Sequence, residues 1–232
     1  MNLLVETRDD RATRRLRQAG FIAIAGVVAF VVLAVLVNAR VVASLDLGIA
    51  RAVHTVDTPS LDILSEVFAI LFSGELSLVF AALLVVYFWR RGLRLGALAV
   101  LAFLPLVFLE IVLKYVVQQP PVPDDLFRGF AYPLATVTTQ GSFPSGHAAR
   151  AAFFAAFIGT LVRSPGWLAR WIVPLVAAFI ALACALSRLY QEVHWASDVV
   201  AGAILGATIG YLAACWVGVA MARVARRDET GW

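Results

Sequence analysis

Six runs of nearly uninterrupted apolar residues dominate the chain, at roughly 20–39, 66–89, 94–117, 145–162, 170–189 and 197–221. Each approaches or exceeds the ~20 residues that a helix needs to cross a ~30 Å hydrocarbon layer. In lipid every backbone polar group must be satisfied inside its own segment, which leaves the helix as the structure for such runs. The expected fold is therefore all-α, a six-transmembrane helical bundle. The run at 145–162 is the shortest, and Arg150 interrupts it. Composition agrees with this reading: 62% of the 232 residues are apolar and 15% charged, with a mean hydropathy of +0.88. Soluble domains average about 45–50% and 25%. The first run is too long for a signal peptide, and no convincing small-residue cleavage site follows it.

Arginines orient the bundle. Placing residues 1–19 in the cytoplasm puts Arg8, Arg11, Arg14, Arg15 and Arg17 there, with Arg90, Arg91 and Arg94 between runs two and three. Arg163, Arg170, Arg223, Arg226 and Arg227 join them, making thirteen of the nineteen basic residues. The positive-inside rule then expects both termini to be cytoplasmic. The division is a single membrane domain over 1–232: a cytoplasmic arm at 1–19, a bundle at 20–222 and a cytoplasmic tail at 223–232. Both cysteines, Cys184 and Cys215, lie in apolar runs, which argues against a disulfide framework or a metal cluster. The net charge of +4 belongs to the arginine flanks and implies no nucleic-acid partner.

This topology delivers the reactive residues to one face. Lys114 ends the third helix outside, "PSGH" (144–147) opens the fourth, "SR" (187–188) ends the fifth, and His194 with Asp198 opens the sixth. Two outer segments flank them. Residues 40–65 are mixed in character and suit a short helix in the membrane interface, and the proline-rich loop 118–144 is too polar for lipid. Gly202, Gly206 and Gly210, spaced by four, form a small-residue stripe expected to pack against another helix.

The chemistry follows from residue types. Ser145, Gly146 and His147 start a helix, where unpaired N–H groups and the positive dipole end favour an anion. Glycine admits close approach, the Ser145 hydroxyl donates, and Lys114 and Arg188 bring cations from neighbouring helices. A phosphate satisfies all of them. His194 is the expected nucleophile, because Asp198 stands one turn along the same face. That carboxylate can hold Nδ1–H and leave the Nε2 lone pair aimed outward. His147 can protonate the leaving oxygen and later activate the water that cleaves a phosphohistidine. Cations around the equatorial oxygens supply the stabilisation that phosphoryl transfer chiefly needs.

"PSGH" and the S-R-x5-H-x3-D pattern at 187–198 resemble the second and third signatures of the type 2 phosphatidic acid phosphatase (PAP2) superfamily, over essentially the whole chain from about residue 40. The resemblance implies a six-helix membrane bundle that removes phosphate from a lipid phosphate or diphosphate without metal or cofactor. Its site residues carry over onto Ser145, Gly146, His147, Arg188, His194 and Asp198. Lys114 matches the start of the first signature, but Pro121 stands where the family has an arginine. Arg150, three residues after His147, is the expected substitute phosphate ligand, with Arg128 of the outer loop as the other candidate. Glu192 stands where the family often has glycine, so it either repels substrate or pairs with an arginine.

Other residues have plainer readings. His54 lacks a motif and reads as a hydrogen-bonded packing residue. Lys114 could also snorkel or pair with Glu110 at i,i+4. Glu75 and Glu110, in apolar helices, are functional, form structural ion pairs or are neutral protonated acids. Trp167, Trp171 and Trp195 read as interfacial belt residues. The expected activity is hydrolysis of a lipid such as polyprenyl diphosphate, phosphatidic acid or phosphatidylglycerol phosphate at the outer face of the cell membrane, with membrane lipids as surroundings. The alternatives are a phosphotransferase with another acceptor, and a catalytically weakened relative that binds lipid phosphate. Oligomeric state is left open.

Overall fold

The computed structural model describes residues 8–128, 141–161 and 167–230. The expectations for the outer loop at 129–140 and for Arg163 lie outside the described residues, as do the side chains of Trp167 and of the terminal arginines other than Arg14 and Arg17. Helices account for nearly all of the rest: α1 (Arg8–Asn38), α2 (Ala43–His54), α3 (Pro59–Leu71), α4 (Gly74–Arg90), α5 (Arg94–Val100), α6 (Phe103–Val116), α7 (Gly146–Leu161), α8 (Trp167–Tyr190) and α9 (Ala196–Thr230). No strand occurs among the described residues.

Four stretches are long and apolar enough to cross a bilayer: Arg17–Asn38, Arg94–Val116, Arg170–Tyr190 and Ala196–Val219. The run expected as one helix at 66–89 is instead broken. α3 and α4 meet at Phe72–Ser73 with a bend of 53°, and together they can form a fifth span. The break has a local cause, since the Ser73 hydroxyl accepts from the Leu76 N–H at 3.2 Å and caps a new helix. Glu75 is therefore an exposed acid in the first turn of α4, where the helix dipole favours it. The fourth expected run, 145–162, becomes α7, only 16 residues long, or about 24 Å at 1.5 Å per residue.

α7 is the central helix, buried on nearly every side, as an all-round apolar helix must be. Phe153, Phe154 and Phe157 of α7 pack with Phe103 of α6, with ring centroids of Phe103 and Phe154 5.0 Å apart. Against α9 the contact is closer still. A Cβ on Gly202, Gly206 or Gly210 would fall on the carbonyl oxygen of Ser145, Ala149 or Phe153 respectively. The glycine stripe lets two backbones touch along three turns, as expected of it. α1, by contrast, exposes Phe21, Ile24, Val28 and Val35 along its length, which suits a helix facing lipid tails.

Candidate active site

The start of α7 is fastened from two directions. The Ser145 N–H donates to the carbonyl of Asp198 at 2.9 Å, which ties the two sequence signatures together through the backbone. Just upstream, Ser142 donates its N–H to the Gln119 carbonyl at 3.1 Å and its hydroxyl to that of Pro120 at 3.2 Å. Lys114, in the last turn of α6, reaches the Ser142 carbonyl at 3.4 Å. The segment before α7 is thus pinned to the residues that follow α6. The Ser145 hydroxyl is buried and has no hydrogen-bond partner among the described residues, which leaves it to an incoming ligand.

Gly146 has a further reason to be glycine. A Cβ there would meet the Glu110 carboxylate. That carboxylate pairs with Arg150, Nη1 to Oε2 at 2.7 Å, and both side chains are under a tenth exposed. Of the readings for Glu110, the ion pair is therefore the one found, with Arg150 rather than Lys114 as its partner. Arg150 also donates from Nε to the Phe72 carbonyl at 3.0 Å, an oxygen placed at the break between α3 and α4. Its Nη2 stands 3.5 Å from His147 Nδ1. One guanidinium thereby links three elements directly beneath His147.

The third signature closes the site. Asp198 is fully buried in the first turn of α9, and its Oδ2 accepts from the Trp195 N–H at 3.0 Å. This is half of a capping box: an acid three residues into the helix bonds back to the residue preceding it. The same oxygen lies 3.5 Å from His194 Nδ1, at the outer limit of a hydrogen bond. Arg188, buried in the last turn of α8, completes the group. His194 lies within electrostatic reach of Lys114, Asp198 and Arg188, and His147 within reach of Arg150, Arg188 and His194. Lys114, Ser145, Gly146, His147, Arg150, Arg188, His194 and Asp198 are therefore gathered at one end of the bundle.

Burial lowers the pKa of His194 below the ordinary histidine value. The Asp198 hydrogen bond and charge oppose that shift, while Lys114 and Arg188 add to it. A depressed value keeps the imidazole neutral, which a nucleophile requires.

Several side chains have partners that no local pattern announced. Glu192, with φ +53°, accepts from His54 at 2.9 Å and pairs with Arg128 at 3.4 Å. Of the two readings for Glu192, pairing with an arginine is the one found. Arg128, the other candidate for the missing cation, also donates to the carbonyls of His54 and Val56 at the end of α2. Trp195 was expected in an interfacial belt, yet it is buried and donates to the Pro120 carbonyl at 2.7 Å; Trp171 is exposed, as a belt residue would be. Asp46, which no motif singled out, accepts from the Ser197 N–H at 2.9 Å and from its hydroxyl at 2.6 Å. Its one sequence signal was an acid in the first turn of a short helix, which is too common to indicate a remote partner.

Comparison with known proteins gives this geometry its context. The family model of the PAP2 superfamily matches residues 95–222. An undecaprenyl-diphosphatase of Sulfolobus acidocaldarius is 34% identical over 131 residues, which are 56% of this chain and 58% of that protein. The chain thus spans less than two thirds of that relative's length. The crystal structure of a transmembrane PAP2-type phosphatidylglycerolphosphate phosphatase from Bacillus subtilis superposes with a TM-score of 0.70 at 26% identity, covering 83% of this chain and 94% of its own. That of Aquifex aeolicus LpxE gives 0.55 at 27% identity, covering 73% and 94%. The match spans more than half the chain and takes in both signatures with the helices that carry them: the chain belongs to the PAP2 superfamily.

Proposed function

We propose that this protein is a membrane lipid phosphatase that hydrolyses a phosphomonoester or diphosphate head group through a phosphohistidine, without metal. The observation that carries the reading is the meeting of an imidazole and a carboxylate, His194 Nδ1 and Asp198 Oδ2 3.5 Å apart, with an anion cradle built from Ser145, the first N–H groups of α7, Lys114 and Arg188. The two halves are useless apart and suit one substrate together.

In the first step Nε2 of His194 attacks phosphorus opposite the lipid oxygen. The N–P bond forms as the P–O bond breaks, and His147 gives its proton to the departing oxygen. Asp198 holds Nδ1–H and offsets the positive charge that develops on the ring. In the second step His147 takes a proton from water, the water oxygen attacks phosphorus, and the N–P bond breaks to release inorganic phosphate. Lys114, Arg188, Ser145 and the helix N-terminus stabilise the equatorial oxygens in both steps. Arg150 contributes through Nη2, the part of its guanidinium that faces His147, since Nη1 and Nε are engaged by Glu110 and Phe72.

The membrane frame proposed with this chemistry has six spans and both termini in the cytoplasm, with the site at the extracytoplasmic mouth of the plasma membrane. The sidedness of the arginines supports it. A lipid substrate is supported by the relatives, one an undecaprenyl-diphosphatase and another a phosphatidylglycerolphosphate phosphatase. The test is phosphate release from a panel of polyprenyl diphosphate, phosphatidic acid and phosphatidylglycerol phosphate in detergent, with and without chelator. Wild type should release phosphate equally in both, and His194→Ala should release none. Activity that disappears with chelator, or persists in His194→Ala, overturns the mechanism.

A further inference from the structure

Helix α2 lies outside residues 95–222, the region the family model matches, yet it touches the nucleophile's segment at two points. Near its start, Asp46 is only 2% exposed and accepts from Ser197 through both carboxylate oxygens, at 2.9 Å from the N–H and 2.6 Å from the hydroxyl. Gln119 adds a third bond to Oδ2 at 3.4 Å. This carboxylate sits in the first turn of α2 and against the first turn of α9, so two helix N-termini favour its charge. At the other end of α2, the terminal residue His54 bonds Glu192 at 2.9 Å. Asp46 and His54 are eight residues apart, about 12 Å along a helix. Between the two anchored residues, 192 and 197, lies His194, and Asp46 and Val53 line a small cavity with His194 itself.

From this arrangement we propose that α2 is the template that sets the distance between His194 and Asp198, with Asp46 as its principal positioning residue. The inference rests on the reading of His194 as nucleophile. Asp46 touches no reacting atom. It holds Ser197, the neighbour of Asp198, and so fixes where α9 begins, while His54 fixes the turn that leads into His194. Together they suspend the imidazole between two points on one rigid helix. Misplacing a nucleophile by about 1 Å costs on the order of a hundredfold in rate, and such a cost falls on kcat rather than on KM.

The test uses the full chain in detergent with dioctanoyl phosphatidic acid and farnesyl diphosphate as probes. Asp46→Asn keeps the shape but removes the charge, and Ser197→Ala removes one of the two bonds. Phe157→Leu, in the core away from the site, serves as a control for lost stability alone. Expected are a fall in kcat of about tenfold or more for Asp46→Asn and about threefold for Ser197→Ala. KM should stay within threefold and phosphoenzyme formation should slow in proportion. Phe157→Leu should lower Tm without lowering kcat per folded molecule. If Asp46→Asn does not fold, Ser197→Ala carries the test. The proposal is overturned if kcat of the folded variants stays within twofold of wild type, or if the loss appears in KM. A His194→Ala arm separates the two ideas: residual activity there refutes the nucleophile, whereas an inactive His194→Ala beside a normal Asp46→Asn refutes only the template.

Discussion

Arg150 and Glu110 form the most consequential ion pair near the site, and removing either partner should be far worse than removing both. Their side chains are 7% and 9% exposed and meet at 2.7 Å. Replacing Arg150 with Met strands the Glu110 carboxylate in the bundle and removes the donor to the Phe72 carbonyl. Breaking a buried pair from one side costs about 3–5 kcal/mol, while replacing the whole pair with apolar side chains is often close to neutral. Loss of one further hydrogen bond, to Phe72, adds about 1 kcal/mol. Arg150→Met should therefore raise the unfolding constant by roughly 10³ to 10⁴, at about 1.4 kcal/mol per factor of ten. Glu110→Leu should cost a similar amount, because it strands the guanidinium. The double variant should recover all but about 1–2 kcal/mol, giving a coupling of several kcal/mol in a double-mutant cycle. The assay is equilibrium unfolding in mixed micelles, followed by circular dichroism. Single variants that each cost less than about 1 kcal/mol, and whose effects add in the double variant, would show that the pair is not buried as described.

The acidic limb of kcat/KM should lie below the ordinary histidine value of about 6.5, because burial depresses the His194 pKa and only the neutral ring attacks. Lys114→Met removes one of the cations that lower that value, so its limb should move up; Asp198→Asn removes the partner that raises it, so its limb should move down. The difference between profiles cancels the substrate's own titration, and a Lys114→Met shift toward lower pH would refute the assignment. His147→Ala should accumulate phosphoenzyme after a pulse of labelled substrate with a good leaving group, whereas His194→Ala should form none. Gly146→Ala should lose most activity, since its methyl group collides with the Glu110 carboxylate. In a Glu110→Ala background the same change should cost less, as read by phosphate release.

The parts of this site that were legible in the chain are those whose chemistry is local. Ser-Gly-His at the start of α7 and His-x3-Asp at the start of α9 carry their meaning within five residues, and their order along alternating helices implied a common face. Hydropathy also located the four stretches long enough to span, but it is blind to capping, so it ran through Phe72–Ser73 where one serine hydroxyl begins a new helix. Partners of the buried charges were illegible for a different reason. Glu110 was weighed against Lys114, four residues away, yet it binds Arg150, forty residues on. Asp46 and Ser197 are separated by 151 positions. Each of these residues alone is an ordinary polar group in an apolar helix. Only the packing that brings two of them together distinguishes a hub from an accident.

The glycine ladder between α7 and α9 also determines how the helices are aligned lengthwise. Slide α9 by four residues, about 6 Å, and the small-residue spacing of four nearly repeats itself. In one direction Asp198 would have to occupy the place of Gly202 against the Ser145 carbonyl, and in the other Ala214 would take the place of Gly210 against that of Phe153. Both positions have no room for a side chain. Three glycines and no fourth thus permit one alignment alone, and with it one height of the His194–Asp198 dyad relative to Ser145.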